Sequence, residues 1–268
     1  MTSIVGSRRW PSRVVFAIGM AFLYLPLARI VVNSVNSNPL STTFDGLTLH
    51  WYRTAFGDAG IRKGVGNSVR LAVVASVLSV TIGTVAAVAS QRSHRFVRVM
   101  SRFGSVARVS VPEIVVAGGL TVVLPTIGTK FGLTAMLAGH VVILTPFVVL
   151  LVGTRAASAD PRFPEAAADL GARPWQVFRT ITLPDLAPAI GASTILSAVF
   201  SFDDVITSRL LAGPQSSTMP TVLLSMIQRR ITPEIDAIGS IILAVGALAF
   251  TAALLVGRGT ASVTGRGR

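Results

Sequence analysis

The sequence predicts an all-α membrane protein with six transmembrane helices and both termini on the cytoplasmic side. Three observations carry that prediction. Hydrophobic residues make up 51% of the 268-residue chain and charged residues only 13%, whereas a soluble domain is roughly a quarter charged. The apolar residues fall into six blocks long enough to cross a bilayer, which takes about 20 residues at about 1.5 Å each. The 24 Lys and Arg residues are divided unevenly between the two sides those blocks define.

The first block, Val14–Val32, follows Ser7-Arg8-Arg9. A twin-arginine export signal can begin this way. This block is longer than a signal core and has no clear small-x-small site beyond it, so it reads as a retained first helix. Asn33–Asn67, rich in Asn, Ser, Thr and Gly, is the longest outer loop. The remaining spans are expected at Leu71–Ser90, Val109–Ile127, Leu133–Val152, Leu186–Ile206 and Ala237–Val256. Between the last two, Thr218–Gln228 is apolar but too short to cross, and fits a short interfacial or re-entrant helix on the outer side. Arg258–Arg268 reads as a Gly/Arg tail without fixed structure. No internal repeat is visible, and one domain over residues 1–268 fits.

Orientation follows from the basic residues. With the N-terminus inside, fifteen Lys and Arg lie on the cytoplasmic side, among them Arg8, Arg9, Arg92, Arg95, Arg98, Arg155 and Arg179. Eight lie outside, including Arg62, Lys63 and Arg230. Cytoplasmic loops carry such an excess. The net charge of +13 therefore points to anionic lipid rather than nucleic acid, since no basic segment is long enough to fold outside the membrane. Cysteine is absent, which excludes disulfides and thiolate metal sites.

The most informative polar segment is Glu165–Pro184, E-A-A-A-D-L-G-A-R-P-W-Q-V-F-R-T-I-T-L-P. Pro161 and Pro164 mark a helix entry. Glu165 puts negative charge near a helix N-terminus, where the macrodipole favours it. Ala166, Ala167, Ala168 and Leu170 favour helix, and Gly171 stands where a residue of positive φ ends one. Pro174 opens a second short helix, Trp175–Thr180, at about a right angle to the first. Thr182 and Asp185 are spaced as a capping box for the fifth span, with Pro184 in its first turn. Two roles are open on this evidence: an amphipathic hairpin resting Phe163, Leu170, Trp175, Val177 and Phe178 on lipid, or a cytoplasmic docking element.

The complete spacing, Glu165-Ala166-Ala167, three residues, Gly171, nine residues, then Ile181-x-Leu183-Pro184, resembles the EAA loop of bacterial ABC-importer permeases. The resemblance implies the permease (MetI-like) fold, with a transmembrane core at about 67–257 and a coupling loop at about 157–185. It also implies that the first short helix sits in a groove of a separate ATPase. The likeness extends through Gly46–Tyr52, Val111-Pro112-Glu113-Ile114-Val115, Ser201-Phe202-Asp203-Asp204-Val205-Ile206 and Gly213-Pro214. It is closest to the second permease of spermidine/putrescine importers. The implied partners are a second permease, two ATP-binding subunits, an extracytoplasmic substrate-binding protein and the lipid of the bacterial inner membrane. The implied function is passage of a polyamine-like cation, or, as the alternative within the same class, another amine, organic ion or metal.

Glu113, expected near the inner start of the third span, and Asp203 and Asp204, expected toward the outer end of the fifth, are the candidate residues of the substrate path, because carboxylates would lower the desolvation cost of a polycation. A charge at the bilayer centre costs roughly 2.5–3.5 kcal/mol, so buried acids need a partner or a cavity. Plainer roles are open for each. Glu113 could pair with Arg108, Asp203 or Asp204 could bond Arg209 or cap a helix, and His140 suits a helix–helix hydrogen bond. Adjacent helical residues point about 100° apart, so Asp203 and Asp204 cannot face a pore equally. No nucleophile–base constellation or P-loop is present. The expectation is therefore no enzyme activity and no cofactor, with ATP bound by the partner ATPase. A secondary transporter would show inverted repeats or unpaired mid-span acids, and neither is evident in the sequence.

Overall fold

The structure is a computed structural model that describes residues 9–39, 43–229 and 232–264. Ser7, Arg8, Arg230, Arg266 and Arg268, all part of the sequence argument, lie outside the described residues. Every described element is helical apart from one isolated antiparallel bridge, Asn36 to Leu47. By backbone contacts the chain forms two compact units, residues 1–59 with 223–268, and residues 60–222.

In the first unit, α12 (Pro233–Thr264) packs with α1 (Arg9–Ser34) and with α2 (His50–Gly57). Tyr52 joins all three helices, its hydroxyl 2.8 Å from Ser34 Oγ and 2.7 Å from Ser240 Oγ. Phe16, Phe22 and Leu25 of α1 stay exposed, as side chains facing lipid would. α12 starts on Pro233 with Glu234 and Asp236 in its first turn, a favourable N-terminus. Its helix continues to Thr264, so the expected tail is helical as far as it is described.

The second unit is built from α3 (Ala59–Arg92), α4 (Arg95–Ser110), α5 (Glu113–Thr126), α6 (Leu133–Ser158), α7 (Arg162–Asp169), α8 (Pro174–Val177), α9 (Leu183–Asp203) and α10 (Ile206–Leu210). α11 (Met219–Arg229) follows, the short apolar helix expected near Thr218–Gln228. Four described helical segments are long and apolar enough to cross a membrane, and a fifth results if the bent pair α4–α5 is one span.

Three boundaries depart from expectation for physical reasons. α3 begins at Ala59, twelve residues before Leu71, and the added turns carry the buried Asn67 and Ser68, whose side chains bond the backbone of Ser217 and Met219. The third span is not one helix from Val109 to Ile127. α4 and α5 meet at 101°, since Pro112 holds Val111 extended at φ −76°, ψ 128°. The fifth span stops at Asp203 rather than Ile206, for a reason given below.

Close helix contact depends on small residues. Gly83 lies so near Val148 that a Cβ would fall 2.6 Å from that side chain, and at Gly139 it would fall 2.6 Å from Thr207 Cγ2. The interior consists of one cluster around Met136, Leu211 and Leu124, and another around Val148, Val152 and Leu186.

Candidate functional site

Two sites occupy the second unit, and the coupling loop is the first. α7 buries none of its residues. Phe163 is 66% exposed and Leu170 89%. Asp160 accepts from the Arg162 backbone N–H at 3.0 Å and from Arg162 Nε at 3.1 Å. The backbone bond first, then the guanidinium, holds its carboxyl below the ordinary range. Gly171 adopts φ +85°. The turn closes through Gly171 N–H to Ala168 O at 2.9 Å and Ala172 N–H to Ala167 O at 3.0 Å, satisfying carbonyls that a helix end leaves free.

Beyond Gly171 the chain differs from the expected pair of separate helices. α8 passes through a π-helical turn, Phe178–Thr182, directly into α9. Thr182 is helical at φ −66° and caps nothing. Pro184 and Pro188 supply no N–H to the ladder, and the wider turn, with Leu183 N–H donating to Phe178 O, accommodates the missing donors. Pro174 to Asp203 is thus one helical segment of 30 residues. Ile181 is partly buried, and Leu183 and Pro184 are exposed on its surface.

Arg155 at the end of α6 ties this segment down. Its Nη2 pairs with Asp185 Oδ1, and its Nε donates to Asp185 O at 3.1 Å. Between α3, α6, α7 and the start of α9 lies a cleft of about 590 Å³ that includes Gln91, Asp160, Glu165 and Asp185.

The second site brings together the acids expected at opposite ends of their spans. Asp204, at the break after α9, accepts from the Thr207 N–H at 3.2 Å and the Ser208 N–H at 2.7 Å. It therefore caps α10, and that cap ends the fifth span. Its Oδ2 also lies 3.0 Å from His140 Nε2. An ionised carboxylate only accepts, so Nε2 donates to it, and Nδ1 lies 2.6 Å from Ser201 Oγ. His140 is 2% exposed, and it is a helix–helix contact as expected. Thr207 Oγ1 donates to Glu113 Oε1 at 2.8 Å. Glu113 therefore lies beside the α9–α10 break, not at a far inner end. No ion pair joins it to Arg108 among the described residues.

These contacts separate the adjacent acids. Asp204 is engaged by three donors, the His140 ring and two backbone N–H groups, whereas Asp203 is exposed and makes no hydrogen bond to a described residue. Asp203 and Glu113 line a cleft of about 430 Å³ with Ile143, Leu144, Phe147 and Phe200. Thr207, Ser208, Phe147 and Phe200 escaped the sequence reading. The first two carry a signal, since Asp204-Val205-Ile206-Thr207-Ser208 has the form of a capped short helix. The two rings carry none, because Phe in an apolar span is ordinary.

A collar of bonds holds the segment after α10. Asn67 Nδ2 donates to Ser217 O at 3.0 Å, Ser68 Oγ accepts from the Met219 N–H at 2.8 Å, and Gly132 N–H donates to Leu211 O at 2.9 Å. Gly213 admits no larger residue, since a Cβ would fall 2.1 Å from Phe131 O.

Residues 79–261 match the family described as binding-protein-dependent transport system inner membrane component. The chain is 33% identical over 239 residues to the spermidine/putrescine transport system permease protein PotC of Escherichia coli K12, covering 89% of this chain and 90% of that one. It is 33% identical over 255 residues to the putrescine transport system permease protein PotI of the same organism, covering 91% and 90%. In fold it resembles a chain of a bacterial ABC transporter involved in import of the acidic polysaccharide alginate. There the TM-score is 0.75 at 16% identity, covering 96% of this chain and 99% of that one.

Proposed function

The chain belongs to the family of binding-protein-dependent transport inner membrane components, an inner-membrane permease of an ABC importer, and from that premise we propose that it forms half of a path for a polyamine-like cation. The observation that carries the cargo is Asp203. It is an exposed carboxylate without a hydrogen-bond partner among the described residues, at the end of a membrane-crossing segment, and it shares a cleft with the partly exposed Glu113. Lipid is an unfavourable neighbour for such a group, so this face fits a water-filled path whose occupant is positive. The 33% identity to the polyamine permeases supports the same cargo. Asp204 acts as the structural member of the acidic group and fixes α10.

In this reading the chain crosses the membrane six times, with α4 and α5 as one broken span and both termini cytoplasmic. A second permease completes the path, two ATP-binding subunits lie beneath, and an extracytoplasmic binding protein delivers cargo. Glu165, Ala166, Ala167 and Gly171 form the stub that docks in the ATPase, with Ile181, Leu183 and Pro184 carrying its movement into α9. The exposed Phe163 and Leu170 supply the apolar part of that contact. The Arg155–Asp185 pair makes α6 and α9 follow the stub together.

The test is uptake by the complete importer reconstituted in proteoliposomes. ATP-dependent accumulation of radiolabelled putrescine or spermidine is expected, and it should fall with Asp203→Asn. Accumulation of a metal ion or an anion with no polyamine uptake would overturn the cargo assignment.

A further inference from the structure

The lining of the cleft beside Asp203 divides by chemistry into two halves. Glu113, Asp203 and the structurally engaged Asp204 supply carboxylates, and Ile143, Leu144, Phe147 and Phe200 supply apolar surface. The rings of Phe147 and Phe200 are 5.7 Å apart, tilted at 48°, and Phe200 remains 48% exposed. Phe200 and Asp203 are three residues apart on α9, so ring and carboxylate share one face. Aromatic faces carry negative potential and attract ammonium groups, most strongly where water is displaced.

We infer that Phe147 and Phe200 form a recognition wall for methylene-linked ammonium groups, so that the permease itself selects organic amines over metal or other inorganic cations. The inference rests on the proposed polyamine path and deepens it. An alkylammonium uses both halves at once, its charge between ring face and carboxylate and its methylenes against Ile143 and Leu144. A hydrated metal ion uses only one half. Among the described residues no group of three or more His, Cys, Asp or Glu is placed to hold a metal. The volume of about 430 Å³ lies in the range of organic-ligand sites, roughly 300–1,000 Å³.

Equilibrium dialysis of radiolabelled putrescine against the assembled importer, without its binding protein, tests the wall. Phe147→Leu and Phe200→Leu are each expected to weaken binding roughly tenfold, the ratio that about 1.4 kcal/mol represents. Phe→Tyr at either position should retain binding, and Mg²⁺ should not compete. Fluorinated phenylalanines at 147 and 200 keep the ring's shape while draining its face of charge. They should weaken binding stepwise, and they decide the matter if a leucine variant fails to assemble. Binding by the fluorinated forms equal to native overturns the wall and leaves the cargo assignment standing. No binding and no uptake of any polyamine by the native importer overturns both.

Discussion

His140 Nε2 lies 3.0 Å from Asp204 Oδ2, joining α6 to the break between α9 and α10. One carboxylate thus serves a ring on one helix and two backbone donors on another. Asp204→Ala would leave His140 and the first turn of α10 unsatisfied. With each orphaned buried group costing about 1–3 kcal/mol, a loss of about 3 kcal/mol is expected. The detergent-solubilised complex should melt about 8 °C lower. Asp203→Asn is expected to leave melting within about 1 °C while lowering polyamine uptake. The same melting loss in both variants would defeat the division of roles.

Thr207 is fully buried and serves both acids, donating its N–H to Asp204 Oδ1 and its Oγ1 hydroxyl to Glu113 Oε1. Thr207→Val keeps its shape but removes the donor to Glu113. A stability loss of about 1 kcal/mol is expected, together with a changed cargo affinity. Thr207→Ser should restore the affinity.

Gly139→Ala would press a methyl within 2.6 Å of Thr207 Cγ2 and 2.8 Å of Leu211 Cδ1. The expected cost is about 1–3 kcal/mol from overpacking. Uptake should fall with it, because α10 and its bond to Glu113 must shift. Native-like melting and uptake would mean that α10 yields freely.

Gly171 holds φ +85°, where a side chain costs about 1–2 kcal/mol. Gly171→Asp and Glu165→Lys are expected to leave membrane insertion intact while uncoupling ATP hydrolysis from uptake. The ratio of solute imported to ATP hydrolysed is the measurement, and normal uptake by either variant would remove the loop from the coupling role.

Arg155→Gln loosens the tie to Asp185. Both side chains are over a third exposed, so the stability change should stay under about 1 kcal/mol. The coupling ratio is expected to fall further than stability does, and an unchanged ratio would show that α6 does not follow the loop.

The length of the apolar blocks made the long helices legible, because a bilayer imposes one dimension on every span. The loop was legible too, since proline, alanine and glycine at Pro161, Ala166 and Gly171 each have a local conformational meaning. The meeting of Glu113 with Thr207 was not. It depends on the 101° bend at Pro112, which local sequence marks as a break without giving its direction. The unequal fates of Asp203 and Asp204 were equally hidden, because the capping geometry that consumes one of them exists only once α10 has folded.

The uninterrupted passage from Pro174 through the π-helical turn to Asp203 has a consequence for timing. Thirty helical residues make a strut of about 45 Å, with Trp175 at one end and Asp203 at the other. A strut transmits displacement without delay. The instant the ATPase moves its foot and the instant the cargo carboxylate shifts become one event, leaving no interval in which the path can stand open to both sides.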